Sequence, residues 1–398
     1  ECSICHRHDY LKDGETECEI CWTLKQMSGN ILKGDFFTVT SKKEKTCLPL
    51  PGNCYLVTDT ESTLRKRMKE DNYYIRSYSK NKPYSGYYVS TKLWVGDYVN
   101  GETFEELGQR ATGIERIAVM RADVDNLGQA FVRGFENEKN GSKYVTLSRT
   151  ATFSRKLSMF FKYHINSLLK EGGYSILEEE VQMEKEDDRR NALIVYSGGD
   201  DIFIVGAWDD IIGFAVDLHD NLMEYSQDTL KISAGIGIYP SKYPISIMAR
   251  ETGRLEEAAK SVEGKNAVAL FDEKYTFPWE EFIENVVEEK LYFIQKYFKV
   301  VDEKGKNFLY NLLELVRKRK EDKINIARFA YLLGRMEPKV QRGEKKEEIE
   351  EKRDLHREFS RKMYEWIRVE KDAKELEMAI YLYVYTKREK EEHDGVNE

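Results

Sequence analysis

What the chain lacks narrows its reading first. It has no excess of positive charge: 63 lysines and arginines stand against 71 acidic residues, a net charge of −8 over 398 residues. That excludes a uniformly basic nucleic-acid-binding surface but leaves room for local basic patches. No apolar run approaches the roughly 18–20 residues needed to span a bilayer, so no membrane protein is expected. No secretory leader is recognisable at the start, which points to the cytoplasm. The first residue is Glu1, not Met, one position before a cysteine motif, so upstream sequence is expected. What is present is an apolar fraction of 41% and a length that fits two or three domains with real cores. Charged residues reach 34%, with Lys and Glu dominant, a composition that fits heat-stable proteins.

Cysteine is scarce but clustered. Cys2-x2-Cys5 is followed, after twelve residues, by Cys18-x2-Cys21. Two such pairs supply four thiolates to a tetrahedral ion, which predicts a structural Zn²⁺. Gly14 allows the turn between the knuckles, and His6 and His8 are the available replacement ligands. A closed four-thiolate site leaves no open coordination position, so its role is folding rather than catalysis. Cys47 and Cys54 flank Pro49, Pro51 and Gly52 in a hairpin, and the sequence does not decide whether they are bridged.

Carboxylates carry the chemistry. Ser197-Gly198-Gly199-Asp200-Asp201 lies between the apolar, β-branched runs Ala192–Tyr196 and Ile202–Val205, which reads as a hairpin with two carboxylates at its tip. Paired carboxylates repel, and a hard divalent cation such as Mg²⁺ or Mn²⁺ relieves them; the glycines let phosphates approach the backbone. A second apolar strand from Ile117 ends in Asp123-Val124-Asp125, whose alternation puts the two aspartates on one face. Asp125 is equally suited to cap the following helix. Together the two strand ends would hold one or two metals, the apparatus of in-line phosphoryl or nucleotidyl transfer. Lys260 and Lys265, around Gly264 at the end of a helix, suit triphosphate oxygens, or simply a helix terminus favoured by the dipole. Ser197 could bond a nucleotide or the turn backbone.

The order Asp123-Val-Asp125, Ser197-Gly-Gly-Asp-Asp201, Lys231-Ile-Ser-Ala-Gly-Ile-Gly237, Ala258-Ala-Lys-Ser-Val-Glu-Gly-Lys-Asn-Ala267 resembles the second palm domain of the large, polymerase-like subunit of type III CRISPR effector complexes. It is similar, more distantly, to diguanylate cyclases, which have Glu where this chain has Asp201. The match runs from Glu115 to about Asp272, and the whole chain fits the carboxyl-terminal half of that subunit. The resemblance implies an RNA-guided complex whose palm makes cyclic oligoadenylates from ATP when target RNA is bound. It implies Asp123, Asp200 and Asp201, with the Val124 carbonyl, as ligands of two metals, and Ser197, Gly198, Gly199, Lys260 and Lys265 around the nucleotide. It also implies guide RNA, target RNA and other effector subunits, including the small subunit, as partners. A GTP-using cyclase and a non-catalytic scaffold binding RNA and subunits are the alternatives. The His-Asp nuclease domain and first palm of family members are not seen in this sequence. His8-Asp9 falls in the zinc loop and His393-Asp394 in the tail, so no DNA cleavage is assigned.

The expected fold is α+β: a zinc knuckle with a small β region over 1–112, a ferredoxin-like βαββαβ cyclase palm over 113–276, and a helical bundle over 277–398. In the first region, Tyr and Lys alternate with small polar residues over Tyr73–Lys92, which fits a half-buried sheet or an RNA-stacking surface. In the palm, a helix is expected over Leu147–Glu171, an acidic mobile insertion over Gly172–Arg190, and helices over Ile211–Tyr225 and Ile245–Val262. The bundle reads as Trp279–Phe298, Asn307–Lys318, Ile324–Leu333, Glu347–Val369 and Ala373–Tyr385, a separate interaction domain, with Lys387–Glu398 fraying.

Overall fold

The computed structural model describes residues 1–9, 11, 14–70, 72–136, 141–183, 188–301, 307–338 and 346–388. Two compact units result, Glu1–Asp97 and Tyr98–Glu398.

In the first unit, α1 (Glu19–Lys33) precedes a six-stranded sheet. Its strands are β1 (Phe36–Thr40), β2 (Leu48–Leu50), β3 (Cys54–Asp59), β4 (Tyr74–Lys80), β5 (Tyr84–Ser85) and β6 (Val89–Leu93), in the order β2-β3-β1-β4-β6-β5. Helix α2 (Glu61–Glu70) crosses between β3 and β4 and was not read from the sequence. Only Leu64 and Met68 are buried on it, one helical turn apart, too short a stripe to stand out in a highly charged segment. They pack with Phe36 of β1. Its charges follow the dipole, with Glu61 in the first turn and Arg67 and Lys69 in the last.

The second unit is built on a sheet of β7 (Ile117–Val124), β8 (Ala192–Ser197), β9 (Asp201–Ala207), β10 (Ile232–Tyr239), β11 (Ala267–Leu270) and β12 (Thr276–Pro278), ordered β12-β11-β10-β7-β9-β8. β7 is central and antiparallel to both β10 and β9; β8 is antiparallel to β9, and β11 runs parallel to β10. Short α3 (Phe104–Arg110) starts at a Thr103 cap that accepts the Glu106 amide, while Glu106 Oε2 accepts the amide of Glu102 just before the cap, an N-terminal signal left unread in the sequence. After α4 (Leu127–Arg133), the expected long helix forms as α5 (Leu147–Met159) and α6 (Ile165–Glu171), joined by a π-helical segment Phe160–His164. Then come α7 (Glu179–Met183), α8 (Trp208–Ser226) and α9 (Ile245–Lys260).

The pleat of β7 sorts the helices. Ala118, Met120, Ala122 and Val124 join the large core with Phe160, Phe161, Ile165 and the α8 residues Ile211, Phe214 and Leu218. Ile117 and Val119 face the other way, with Leu107 of α3, Tyr239 and Met248 of α9. Arg121 and Asp123 therefore share the α9 face.

The segment 172–190 differs from its expectation as a mobile insertion. Ile176 and Leu177 are buried, the Tyr174 amide donates to Asp217, and buried Arg190 bonds the Tyr174 carbonyl and Asp217. Residues 184–187 of that insertion lie outside the described residues. Its acidic composition hid a few apolar anchors that suffice to dock it.

The helical segment also differs from a free-standing bundle. A π-helical stretch Glu281–Leu291 leads into α10 (Tyr292–Val300), α11 (Asn307–Lys318), α12 (Ile324–Gly334), α13 (Lys346–Arg368) and α14 (Glu370–Lys387). Phe282, Ile294, Leu376 and Ile380 belong to the same core cluster as the palm's Val124, Ile204 and Phe214. Tyr385 of α14 accepts the Ile114 amide bond at 2.9 Å and stands edge-on to Trp208. The sequence shows that these helices are amphipathic but not what they are amphipathic toward. The expectation of a fraying tail from Lys387 falls, beyond Arg388, outside the described residues.

Candidate metal and nucleotide centre

The four cysteines come together as their spacing predicts. Cys2, Cys5, Cys18 and Cys21 bring their Sγ atoms within 4.8 Å of one another. Cys5 and Cys18 lie 3.7 Å apart, which suits a tetrahedron of Zn–S bonds of about 2.3 Å. Cys18 caps α1, accepting the Cys21 amide at 3.4 Å, while its own amide donates to Cys2 Sγ at 3.2 Å. Bonds from backbone amides of Cys5, Cys18 and Ile4 pull the Cys2 thiol down to about 6. Burial first, then its three cysteine neighbours, push Cys21 up to about 12. Four thiols crowded so that one resists ionising are the donor set a soft-ligand cation resolves. His6 is exposed and pairs with Glu1, and neither His6 nor His8 joins the group. Cys47 and Cys54 are free thiols, so the bridge left open by the sequence is not made.

In the second unit, β7 and β9 place Asp123 directly opposite Asp201, and the Val124 amide bonds the Asp200 carbonyl at 3.2 Å. The turn Gly198-Gly199-Asp200 closes with the Gly198 amide on the Asp201 carbonyl at 2.8 Å. Gly198 is required sterically: a Cβ there would meet Asp201 Oδ1 at 2.2 Å and the Tyr196 hydroxyl at 2.5 Å. Gly199 has only Ser158 Oγ within reach, at 3.8 Å, and borders open space. Burial, then the charges of Asp123 and Asp201, raise the Asp200 carboxyl above the usual range, against the pull of Lys260.

Lys260 reaches from the end of α9 to Asp123 Oδ2 at 2.5 Å and Glu256 Oε1 at 2.7 Å. Burial opposes its charge, but these two bonds outweigh it and raise the ammonium above an ordinary lysine. Asp123 is thereby satisfied by a cation of the protein. Among the described residues the cysteines are the one group of three or more His, Cys, Asp or Glu close enough to share an ion. The aspartates converge less tightly, as unbridged like charges should.

Three residues sit differently from their sequence reading. Ser197 donates to the Phe161 carbonyl of the π-helical segment, a backbone partner outside the turn. Lys265 reaches Asn126 Oδ1 at 2.9 Å. Asp125 neither caps α4 nor faces outward with Asp123. It is buried and accepts from Ser233 Oγ and the Asn266 amide, both at 2.9 Å. Beside it a cavity of about 520 Å³ is lined by Asp125, Gln129, Phe135, Phe153, Leu230 and Lys231. Sequence reading missed Arg121 and Glu256, which extend the charge chain: Arg121 Nε lies 3.1 Å from Glu256 Oε2. A carboxylate one helical turn before Lys260 was the available signal.

Among the described residues no helix is long and apolar enough to cross a membrane. A family profile for the second palm domain of Cas10/Cmr2 matches residues 116–269, and one for the second helical domain of the Cmr2 subunit of the CRISPR RNA silencing complex matches 295–389. The CRISPR system single-strand-specific deoxyribonuclease Cas10/Csm1 (subtype III-A) of Mycobacterium tuberculosis is 42% identical over 98% of this chain and 47% of its own length. That of Streptococcus thermophilus is 39% identical over 97% and 47%. The chain thus spans about half the length of these relatives. Among solved structures, a Csm1–Csm4 cassette in complex with cA4 aligns with a TM-score of 0.61 at 22% identity, over 89% of this chain and 49% of that one. A cassette in complex with one ATP aligns with a TM-score of 0.60 at 24% identity, over 90% and 49%.

Proposed function

The chain belongs to the Cas10/Csm1 family of type III CRISPR large subunits, and from that premise we propose that its palm makes cyclic oligoadenylates from ATP by metal-dependent nucleotidyl transfer. The observation that carries this reading is the convergence of Asp123, Asp200 and Asp201 at paired strand ends, with Asp200 held above its usual range by burial and the other two charges. The relatives solved with ATP and with cA4 support the same chemistry. The strand order β10-β7-β9-β8, all antiparallel, supports a ferredoxin-like reading of the palm.

The donor set, all oxygen and over-negative, fits Mg²⁺ or Mn²⁺ at Asp123, Asp200, Asp201 and the Val124 carbonyl. When bound, such ions lower the pKa of an attacking hydroxyl and neutralise charge on the leaving group. The chain's own residues orient the reactants. Gly199, which borders open space, lets the α-phosphate approach the turn backbone, Gly198 makes room for Asp201, and Lys260 turns an ammonium toward the triphosphate. The cavity beside Asp125, lined in part by Phe135, Phe153 and Leu230, has the size of a nucleoside site. The 3′-hydroxyl of one ATP then attacks the α-phosphorus of another, and pyrophosphate leaves.

The same premise gives the four cysteines a structural Zn²⁺, and the partners: guide RNA, target RNA, and effector subunits including the small subunit. The three-part division at 112 and 276 we keep as one of function rather than packing. The deoxyribonuclease in the relatives' name describes proteins of twice this length, and we assign none of it to the palm. The test is incubation of the full-length subunit, in its complex with target RNA, with labelled ATP or GTP and Mn²⁺, followed by chromatography. ATP-derived cyclic oligomers are expected; a GTP-derived dinucleotide would replace the reading with the diguanylate one, and no product with a scaffold.

A further inference from the structure

Four charged side chains run in a chain across the α9 face of the palm: Arg121, Glu256, Lys260, Asp123. Glu256 is the link. Its side chain is only 10% exposed, and each oxygen takes one cation, Oε1 the Lys260 ammonium at 2.7 Å and Oε2 the Arg121 Nε at 3.1 Å. Arg121 is 40% exposed, and its terminal amino groups make no hydrogen bond among the described residues.

Two glycines make room for this arrangement. A Cβ on Gly235 of β10 would meet the Glu256 amide at 2.4 Å and the Thr252 carbonyl at 2.6 Å, so α9 can lie this close to the sheet only over a glycine. Gly253, inside α9, is a poorer helix former than Ala. A Cβ there would come within 2.9 Å of Arg121 Nη1. The helix thus accepts a poor helix former at the position where the guanidinium passes.

We propose that Arg121 is a second phosphate-binding cation of the nucleotide site, and that Glu256 is a positioning residue fixing the spacing between Arg121 and Lys260. The inference rests on the reading of the palm as an ATP site. Arg121 stands two residues before Asp123 on the same face of β7, about 6.8 Å along the strand. An α-phosphate at the aspartates therefore leaves its β- and γ-phosphates within reach of Lys260 and then Arg121. Lys260 acts as a point charge, while the unused guanidinium edge of Arg121 matches two phosphate oxygens at once. The ligand class so recognised is a nucleoside triphosphate, in preference to a monophosphate.

The test uses the full-length subunit in its complex with target RNA. KM for ATP and inhibition by AMP are measured for wild type, Arg121→Gln, Arg121→Lys and Glu256→Gln, with melting temperature as a check on folding. Arg121→Gln should raise KM for ATP about tenfold, with kcat changed far less and AMP inhibition unmoved. Arg121→Lys should recover part of the loss. Glu256→Gln should raise KM for ATP with both cations still present. An unchanged KM in Arg121→Gln, or equal weakening of ATP and AMP, would overturn the proposal, the latter because a residue that only supports the fold or neutralises the aspartates does not count phosphates. A failure of the underlying cyclase reading looks different: wild type itself would show no preference for ATP over AMP.

Discussion

At the scale of single residues, the hairpin tip shows why the two adjacent glycines are not equivalent. Gly198 has no space for a Cβ, because Asp201 Oδ1 and the Tyr196 hydroxyl occupy it, whereas Gly199 is open. Gly198→Ala should therefore displace Asp201 and lower oligoadenylate synthesis by about a hundredfold, the scale of a 1 Å misplacement. Gly199→Ala should leave fold and metal binding intact; binding of Mn²⁺ and circular dichroism check both. The carboxylates of the tip and the paired cysteines were legible in the sequence because their chemistry demands residue types at short spacing. Asp125 was not. Alternation put it beside Asp123, but β7 ends at Val124, and past the strand end the period-two rule no longer applies. Arg121 escaped because its partner Glu256 lies far along the chain, which a local pattern does not contain, while Glu256 carried only the weak local signal of its place one helical turn before Lys260.

At the scale of elements, strands and long helices were read closely because their apolar periods are long. Helices α1, α2, α3 and α7 were not: α1, though fifteen residues long, lies in a segment read only for its cysteines, α2 buries two residues, and α3 and α7 have only seven and five. The cysteine group and α1 form one element, with Cys18 serving both as ligand candidate and as helix cap. Cys18→Ser should abolish about one Zn²⁺ per chain and unravel residues 1–33 while the palm melts unchanged. Elemental analysis and limited proteolysis follow the two; absence of zinc in wild type, with freely titratable thiols, would sink the assignment. In the second unit, the π-helical stretch Glu281–Leu291 is pinned to α14 through Lys290, which is 1% exposed and lies 2.6 Å from fully buried Glu375. Lys290→Met removes the cation nearest that carboxylate, leaving it Asn285 at 3.3 Å and Lys371 at 3.9 Å, and should cost about 3 kcal/mol of stability in denaturant unfolding. Lys290→Met/Glu375→Leu should cost much less; equal losses would mean that the pair's geometry, not its charge balance, matters.

At the scale of the whole molecule, the helical segment is part of the palm's core rather than a neighbour of it. Phe271 and Trp208 both touch Tyr385, and Tyr275 bonds Glu377, so α14 packs against the palm's sheet. Gly113, at φ 72°, lies so close that a Cβ would sit 2.1 Å from the Tyr385 carbonyl. A chain truncated before Trp279 should lose these contacts and fail to fold, seen as aggregation and loss of cooperative melting. A soluble, cooperatively melting truncation would show the palm to be independent after all. Sequence reading identified the described helices of that segment, yet amphipathicity names a buried face without naming what buries it. The central claim is that the three aspartates at the ends of β7 and β9 run nucleotidyl transfer on ATP, and the double change Asp200→Ala/Asp201→Ala tests it most directly. In the full-length complex with target RNA, this variant should assemble normally and make no cyclic oligoadenylates from labelled ATP. Continued synthesis by the variant would contradict the account and place the chemistry elsewhere.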